Sequence, residues 1–369
     1  MQVLANTTGM QAAVALAMDK DANDYCVVVV KGTFVTSASG TLKLAEKQRP
    51  LVYADEHYGD PETSAIRYES DFAPRKPLTD VVVVGKAVAP QGQAVASLSV
   101  RLEIEGRVKE LTVFGDRRWQ RRWGRIVASE PLPFLEMPLT FDRAFGGIDD
   151  SQGPTRCAAE RRNPIGVGYF RHRGGSDLVG MLLPNLEDPR HLISSPSDHV
   201  PPAGLGFVGR SWQPRVDRAG TYDKRWREQV CPLLPADFDD SYFQSAPEDQ
   251  LFALFRGGEV IRCVHMSSEP VVTYVIPTPQ IPARFQFVDR IETLQCVLDT
   301  VILEPHEQLA TLLWRARLLV GKKPSALRWI SVGQEPESDG LLGYRQGKPI
   351  FAGLAQAIRW LRTSGDSGS

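Results

Sequence analysis

The carboxylates of Asp237-Phe-Asp239-Asp240 are the residues whose spacing most nearly suits chemistry. Paired acids can pass protons to a substrate or hold a cation. A run of this kind behind Pro235 also caps a helix or closes an Asx turn, and the structural role is the expected one. A hydrolase built on Asp237 and Asp239 would need a histidine brought in by folding. The six histidines are His57, His172, His191, His199, His265 and His306, and no two form a His-x-x-x-His metal pair. His191 and His199 lie in a loop region near Asp188 and Asp198 and could meet only through the fold. There is no Gly-x-Ser-x-Gly elbow and no sequence sign of an activated thiol. Gly204-Leu-Gly206-Phe-Val-Gly209 has the letters of a dinucleotide fingerprint. Pro201-Pro202 stands where its strand is required and Pro214 where its helix should continue, so it reads as a packed glycine loop. Gly321-Lys322 lacks the upstream glycine of a phosphate loop. The residues imply no catalytic group, no cofactor and no metal.

Arg117-Arg-Trp-Gln-Arg-Arg-Trp-Gly-Arg125 places five arginines and two tryptophans in nine residues without an acid. Charge interleaved with aromatic faces can bind single-stranded nucleic acid. Arg and Trp are equally the residues enriched at protein–protein hot spots. A third account is internal pairing with the acids around Asp237 to Asp249. A net charge of −1 and a pI near 6.6 count against nucleic acid. A protein partner would touch Arg117, Trp119, Arg121, Arg122 and Trp123, with Phe141, Arg143 and Phe145 from the stretch that follows.

That stretch, Ser129 to Gly147, carries Pro131, Pro133 and Pro138, which remove backbone donors and bar a long helix or central strand. Leu132, Phe134, Leu135, Met137, Leu139, Phe141 and Phe145 are nevertheless apolar. A segment that is apolar but cannot form regular ladders must be held by tertiary packing. Gly146-Gly147 permits a sharp exit that a Cβ would obstruct. It reads as an ordered, buried connector between two β-rich halves.

Around it the elements are strands. Tyr25 to Thr36 and Thr79 to Ala89 are β-branched runs with the composition of buried strands. Ser37 to Gly40 turns into a further strand, and Ser97 to Phe114 reads as a hairpin about Glu105-Gly106 with one wet face. Pro154 to Pro247 is rich in Pro, Gly and aromatics, with short helical pieces expected near Tyr222 to Glu228 and Asp249 to Phe255. Strands resume at Glu259 to Met266, Val271 to Ile276 and Arg284 to Val288. Thr293 to Glu304 and Gln308 to Leu319 flank a turn at Glu304-Pro-His-Glu307, and the second arm also fits a helical period. Gln334 to Gly340 is a polar break, and Phe351 to Arg362 is the clearest amphipathic helix.

The fold class expected is mainly β with some α: antiparallel β-sandwich-like domains linked by long ordered Pro/Gly/aromatic-rich loops, with a short C-terminal helix. The divisions are an antiparallel β domain over 1–128, a loop-rich connecting region with short helices over 129–256, core-completing strands over 257–332 and a C-terminal helix over 341–362. With 42% hydrophobic and 24% charged residues the composition is that of a globular protein. No apolar run approaches the roughly 20 residues of a membrane span. Met1 to Ala17 lacks a basic opening and a continuous apolar core, so no secretory signal is expected. An odd count of five scattered cysteines fits free thiols in a reducing compartment, hence the cytoplasm.

One ordered series of motifs carries a resemblance. It runs through Lys76-Pro-Leu-Thr-Asp-Val-Val-Val-Val-Gly85, Val113-Phe-Gly-Asp-Arg117 and Met137-Pro-Leu-Thr-Phe-Asp-Arg-Ala-Phe-Gly-Gly147. It continues through Arg162-Asn-Pro-Ile-Gly166, Leu183-Pro-Asn-Leu-Glu-Asp-Pro189, Pro202-Ala-Gly-Leu-Gly206 and Ala219-Gly-Thr-Tyr-Asp223. Trp226, Leu234-Pro-Ala-Asp-Phe-Asp239 and Ala246-Pro-Glu-Asp-Gln250 close it. Together these resemble a bacterial family, long labelled only as a domain of unknown function, encoded beside type VI secretion spike and effector genes. The match covers roughly residues 1 to 330. The resemblance implies a cytoplasmic adaptor chaperone that binds a toxic effector through a PAAR-like region, keeps it soluble and helps load it onto the VgrG spike. It implies no catalytic residues, and the C-terminal helix lies beyond the matched part. The rival readings are a hydrolase using Asp237 and Asp239, and a structural part of the secretion machinery.

Overall fold

Val27 to Val30 run through the longest strand of the protein, Asp24–Thr36, and all four are buried. Alternation sends Val28 and Val30 into the principal core, while Val27 and Val29 meet a second cluster with Val82, Val84, Phe207, Ile302 and Leu313. A strand covered on both faces needs this unbroken apolar run rather than an alternating one. Each fully buried valine contributes roughly 1.5–3 kcal/mol of burial. The structure is a computed structural model that describes residues 3–320, 327–334, 341–345, 348–351 and 357–358.

In chain order the principal strands are β1 (Gln11–Met18), β2 (Asp24–Thr36), β3 (Thr79–Val83), β4 (Ser97–Ile104) and β5 (Arg107–Phe114). They continue with β6 (Trp119–Arg122), β7 (Arg125–Ala128), β8 (Leu186–Glu187), β9 (Leu251–Phe252) and β10 (Val260–Val264). The last are β11 (Val271–Val275), β12 (Val297–Glu304) and β13 (Leu309–Leu319). The larger sheet runs β9-β3-β12-β13-β2-β1, with Leu42–Leu44 also paired to β2. The second sheet runs β8-β5-β4-β10-β11. A third joins Val3–Asn6, Leu327–Val332, Pro282–Phe287 and Ile291–Gln295.

The mainly β fold read from the sequence is the fold observed, and its details show why some boundaries fell elsewhere. Both large sheets interleave strands from before residue 128 with strands from after residue 257. The larger sheet is mixed, because β12 lies parallel to β3 with Thr300 beside Asp80 and Leu303 beside Val83. Nothing local joins those two strands, so no tight turn imposes an antiparallel pairing. Thr79 to Ala89 is not one strand. It breaks after Val83, and Lys86–Val88 leaves the sheet to pair with Glu136–Pro138. The arm Gln308 to Leu319 is a strand from Leu309, paired with β2 along its whole length and with β12 from Leu309 to Arg315.

The Glu105-Gly106 turn is as expected, with positive φ at both residues (46° and 79°). The helical piece near Tyr222 is helix α1 (Lys224–Gln229), whose first turn is capped by Asp223 accepting from the Trp226 amide. Asp249 to Phe255 is instead a 3₁₀ turn at Glu248–Gln250 followed by β9, which the edge of β3 captures. Within 341–362, Leu341–Arg345 and Lys348–Phe351 form an antiparallel hairpin rather than a helix. Of the helix expected over Phe351 to Arg362, Phe351 is instead the end of that hairpin, residues 357–358 are helical and the others lie outside the described residues, as do residues 335–340 of the polar break.

The connector Ser129 to Gly147 buries Phe134, Met137, Leu139, Phe141 and Phe145, while Leu132 and Leu135 stay exposed. Gly146 and Gly147 have φ of 154° and 110°, and a Cβ on either would run into the carbonyl oxygens of Asn163 and Gly166.

Candidate functional site

The arginine- and tryptophan-rich run folds as a ribbon of β6 and β7, paired from Trp119 with Ala128 out to Arg122 with Arg125. Its base is fixed to the body of the protein. The Trp119 amide donates to the Met181 carbonyl (3.0 Å), and the Trp119 carbonyl accepts from Gly180 (2.7 Å). The Trp119 indole is buried in a small core with Phe145, Leu183 and Ile193. Its tip is a two-residue turn, Trp123-Gly124, with φ of 54° and 77°. Such a turn favours Asn or Gly at the first position, and a bulky side chain held at positive φ is costly. Trp123 is 89% exposed there. Arg121, Arg122 and Arg125 are exposed around it, and among the described residues none of the three forms an ion pair.

The structure divides the expected partner-binding residues in two. Arg121, Arg122 and Trp123 are on the surface together. Arg117, Trp119, Phe141 and Phe145 are buried and cannot face a partner without unfolding the region. Arg117 does pair internally, but with Glu187 rather than with the acids from Asp237 to Asp249. It also lies over the Phe114 ring at 3.8 Å and donates to the Pro184 carbonyl. Phe141 packs edge-on against Trp212, and Phe145 against Tyr169. Arg143 is half-buried between Asp116 (3.5 Å) and the Asn185 side chain (3.2 Å). Period-two spacing could not separate Trp119 from Trp123, because the ribbon leaves the body of the protein between them.

A cleft of about 960 Å³ opens at the other end of β5, against Arg107 to Leu111. Pro189, Pro201, Pro202, Pro214 and Pro247 contribute to its walls. Its charges are largely answered: Lys109 meets Asp249 at 2.7 Å, Arg190 meets Asp188 at 2.7 Å and Arg218 meets Glu248 at 2.6 Å. Burial pushes the Lys109 amine down, with Asp249 opposing the shift. β8 covers β5 only at Thr112 and Val113. The backbone groups of Val108 and Glu110, which point away from β4, therefore have no hydrogen-bond partner among the described residues. The cleft can accept an extended stretch of polypeptide through them.

Elsewhere the chemistry-bearing residues serve the fold. Asp237 accepts from the Thr221 amide (3.0 Å) and hydroxyl (2.7 Å), Asp239 caps a 3₁₀ turn through the Ser241 amide (2.8 Å), and Asp240 pairs with Arg75 (3.1 Å). Donors from Thr221 and Ser241 lower both Asp237 and Asp239. His199 packs between Phe145 and Tyr169, and His191 lines the cleft. Among the described residues no three His, Cys, Asp or Glu side chains are placed to hold a metal. Burial raises the Cys26 thiol to about 11 and the Cys296 thiol to about 12. Gly204 and Gly209 are packed against Phe141 and Trp212, as a glycine loop rather than a phosphate cradle would be.

Sequence reasoning missed the buried ionic groups. Lys31 meets Asp71 at 2.9 Å, and Lys76 meets Asp80 at 2.5 Å beside Ser245. Asp149 accepts from the amides of Ser151, Arg171 and His172. A lysine directly after four buried valines was a readable signal; its partner 40 residues on was not.

The family described as "Uncharacterized protein conserved in bacteria (DUF2169)" matches residues 21–315. The chain belongs to the DUF2169 family. That description names no activity and no partner. No curated protein and no solved structure matches the chain. The DUF2169 span holds the ribbon, the cleft and every strand of the second sheet, and it begins after β1.

Proposed function

We propose that this DUF2169 protein works by holding another polypeptide, and that it is the adaptor chaperone of a type VI secretion effector. In this reading it binds the effector in the cytoplasm through a PAAR-like region and helps load it onto the VgrG spike. The observation that carries the reading is the ribbon tip, where Trp123 stands in water at positive φ among three unpaired arginines. An indole so placed does nothing for the isolated chain, whereas in a partner's pocket it would supply an interface anchor. The secretion assignment rests on the motif series from Lys76 to Gln250.

The test is recovery of bound protein from native cells, with mass spectrometry of what is held. A PAAR-like effector is the expected client. Arg121→Glu/Trp123→Ala should lower its recovery roughly thirtyfold, the loss of a hot spot worth about 2 kcal/mol. Wild-type recovery by the double variant removes the tip from the interface. Absence of any bound polypeptide removes the adaptor reading.

A further inference from the structure

We propose that the chain pairs with a second copy of itself along β1, joining the two larger sheets into one across a two-fold axis. The observation is an open edge. At the head of the β1–β2 hairpin the Asp19 amide donates to Asn23 (3.1 Å), which sets the phase of the ladder. β1 therefore bonds β2 through Gln11, Ala13, Ala15 and Ala17. The opposite phase of β2 agrees, since Asp24 accepts from Val320 on the β13 side (2.9 Å). The N–H and C=O groups of Ala12, Val14, Leu16 and Met18 point away from the sheet, and no hydrogen bond among the described residues reaches them.

Sheets ordinarily guard such edges with lysine, proline, a bulge or brevity. β9, at the opposite end of this sheet, is guarded by its two-residue length. β1 has eight residues, no charge, no proline and an unbroken register. Leu16 is 59% and Met18 42% exposed.

The edge is complementary to itself. Antiparallel pairing about Ala15 sets Ala12 opposite Met18 of the second copy and Val14 opposite its Leu16. These are closely bonded pairs, so about eight backbone hydrogen bonds close the seam. Large side chains meet small ones on one face, and the other carries only Ala13, Ala15 and Ala17 between the copies. The charges at the hairpin head, Asp19, Lys20 and Asp21, fall opposite the uncharged Gln11, Met10 and Gly9, and Asp24 lies back on β2. No like charges are opposed. β1 precedes the DUF2169 span, and the proposal does not rest on the adaptor reading.

Sedimentation over a dilution series should show a reversible species of twice the 40.9 kDa monomer. Leu16→Pro removes an N–H that bonds nothing within one copy, hence two bonds of the seam, and should raise the dimer Kd roughly thirtyfold. Leu16→Lys should weaken it comparably while leaving circular dichroism and melting unchanged. Ala15→Cys, with the exposed Cys157 and Cys231 changed to serine, should give a disulfide-linked dimer in air. A chain monomeric at every concentration overturns the proposal, as does a dimer that Leu16→Lys leaves intact and Ala15→Cys does not cross-link. A monomer whose β1 amides exchange slowly until residues 352–369 are deleted also overturns it.

Discussion

Trp119 and Trp123 stand four residues apart on one ribbon, the first 3% exposed and the second 89%. The difference predicts two unlike phenotypes from the same substitution. Trp119→Ala empties a core shared with Phe145, Leu183 and Ile193 and should cost about 3–5 kcal/mol of stability. Trp123→Ala leaves no cavity and should stay within about 0.5 kcal/mol of wild type. Urea unfolding of the two variants checks this. Equal losses would mean that the tip indole packs against the body of the protein.

The turn itself allows stability and binding to be pulled apart. Trp123 and Gly124 have φ of 54° and 77°, the geometry for which Asn-Gly is the preferred pair. Trp123→Asn should therefore stabilise the chain by up to about 1 kcal/mol, since it relieves a bulky residue held in the left-handed region. The same variant should lose the client, because asparagine cannot fill an aromatic pocket. Melting temperature and client recovery measured together decide it. A variant that is both less stable and fully competent in binding would contradict both halves.

The parts of this fold that were legible in the sequence are those set by neighbours along the chain. Val27 to Val30 announced a well-buried strand, Glu105-Gly106 the turn of the β4–β5 hairpin, and Gly146-Gly147 a sharp exit that a Cβ would obstruct. What escaped reading depends on partners far away in the chain. The parallel pairing of β3 with β12, and the departure of Lys86–Val88 toward Glu136–Pro138, are choices no local period encodes. The same holds at the site. Residue types marked the Arg/Trp run correctly as unusual, but only the fold separates buried Arg117 and Trp119 from exposed Arg121, Arg122 and Trp123. Gly115, in the middle of the Val113-Phe-Gly-Asp-Arg117 motif, is explained by the Leu132 carbonyl, which occupies the space a Cβ would need.

Arg117 and Glu187 form an ion pair buried on both sides, with the second Glu187 oxygen accepting from the Ile193 amide at 2.7 Å. Burial raises the Glu187 carboxyl, and Arg117 opposes that shift. Glu187→Ala would leave the guanidinium buried without its counter-charge and should cost about 3–5 kcal/mol. Arg117→Met/Glu187→Leu removes both charges and should recover most of that loss, because the desolvation of two ions disappears with them. Denaturant midpoints of the single and double variants test the pair. A double variant as unstable as Glu187→Ala would show that shape, not charge, holds this corner.

Asp149 gives the acid limb of stability its sign. Burial would raise its carboxyl, but donors from Ser151, His172 and Arg171 outweigh that and hold it well below the usual aspartate range. A carboxyl depressed in the folded state binds fewer protons than it does unfolded, so its contribution is fully present above the ordinary value of about 3.9 and is lost as pH falls through and below it. Asp80 adds in the same direction: burial is outweighed by Lys76, Ser245 and Gln244. Asp71 runs the other way, because burial raises it despite Lys31, and its contribution shrinks as pH rises above the ordinary range. Glu187 runs with Asp71, whereas Asp188, Asp198, Asp237 and Asp239 are lowered like Asp149. With the lowered carboxyls in the majority, melting temperature should fall between about pH 5 and pH 3. Asp149→Asn keeps the shape but donates where it should accept, so it should be less stable at neutral pH and show a shallower fall in acid. An acid limb as steep in Asp149→Asn as in wild type would mean that this carboxylate does not order residues 149–173.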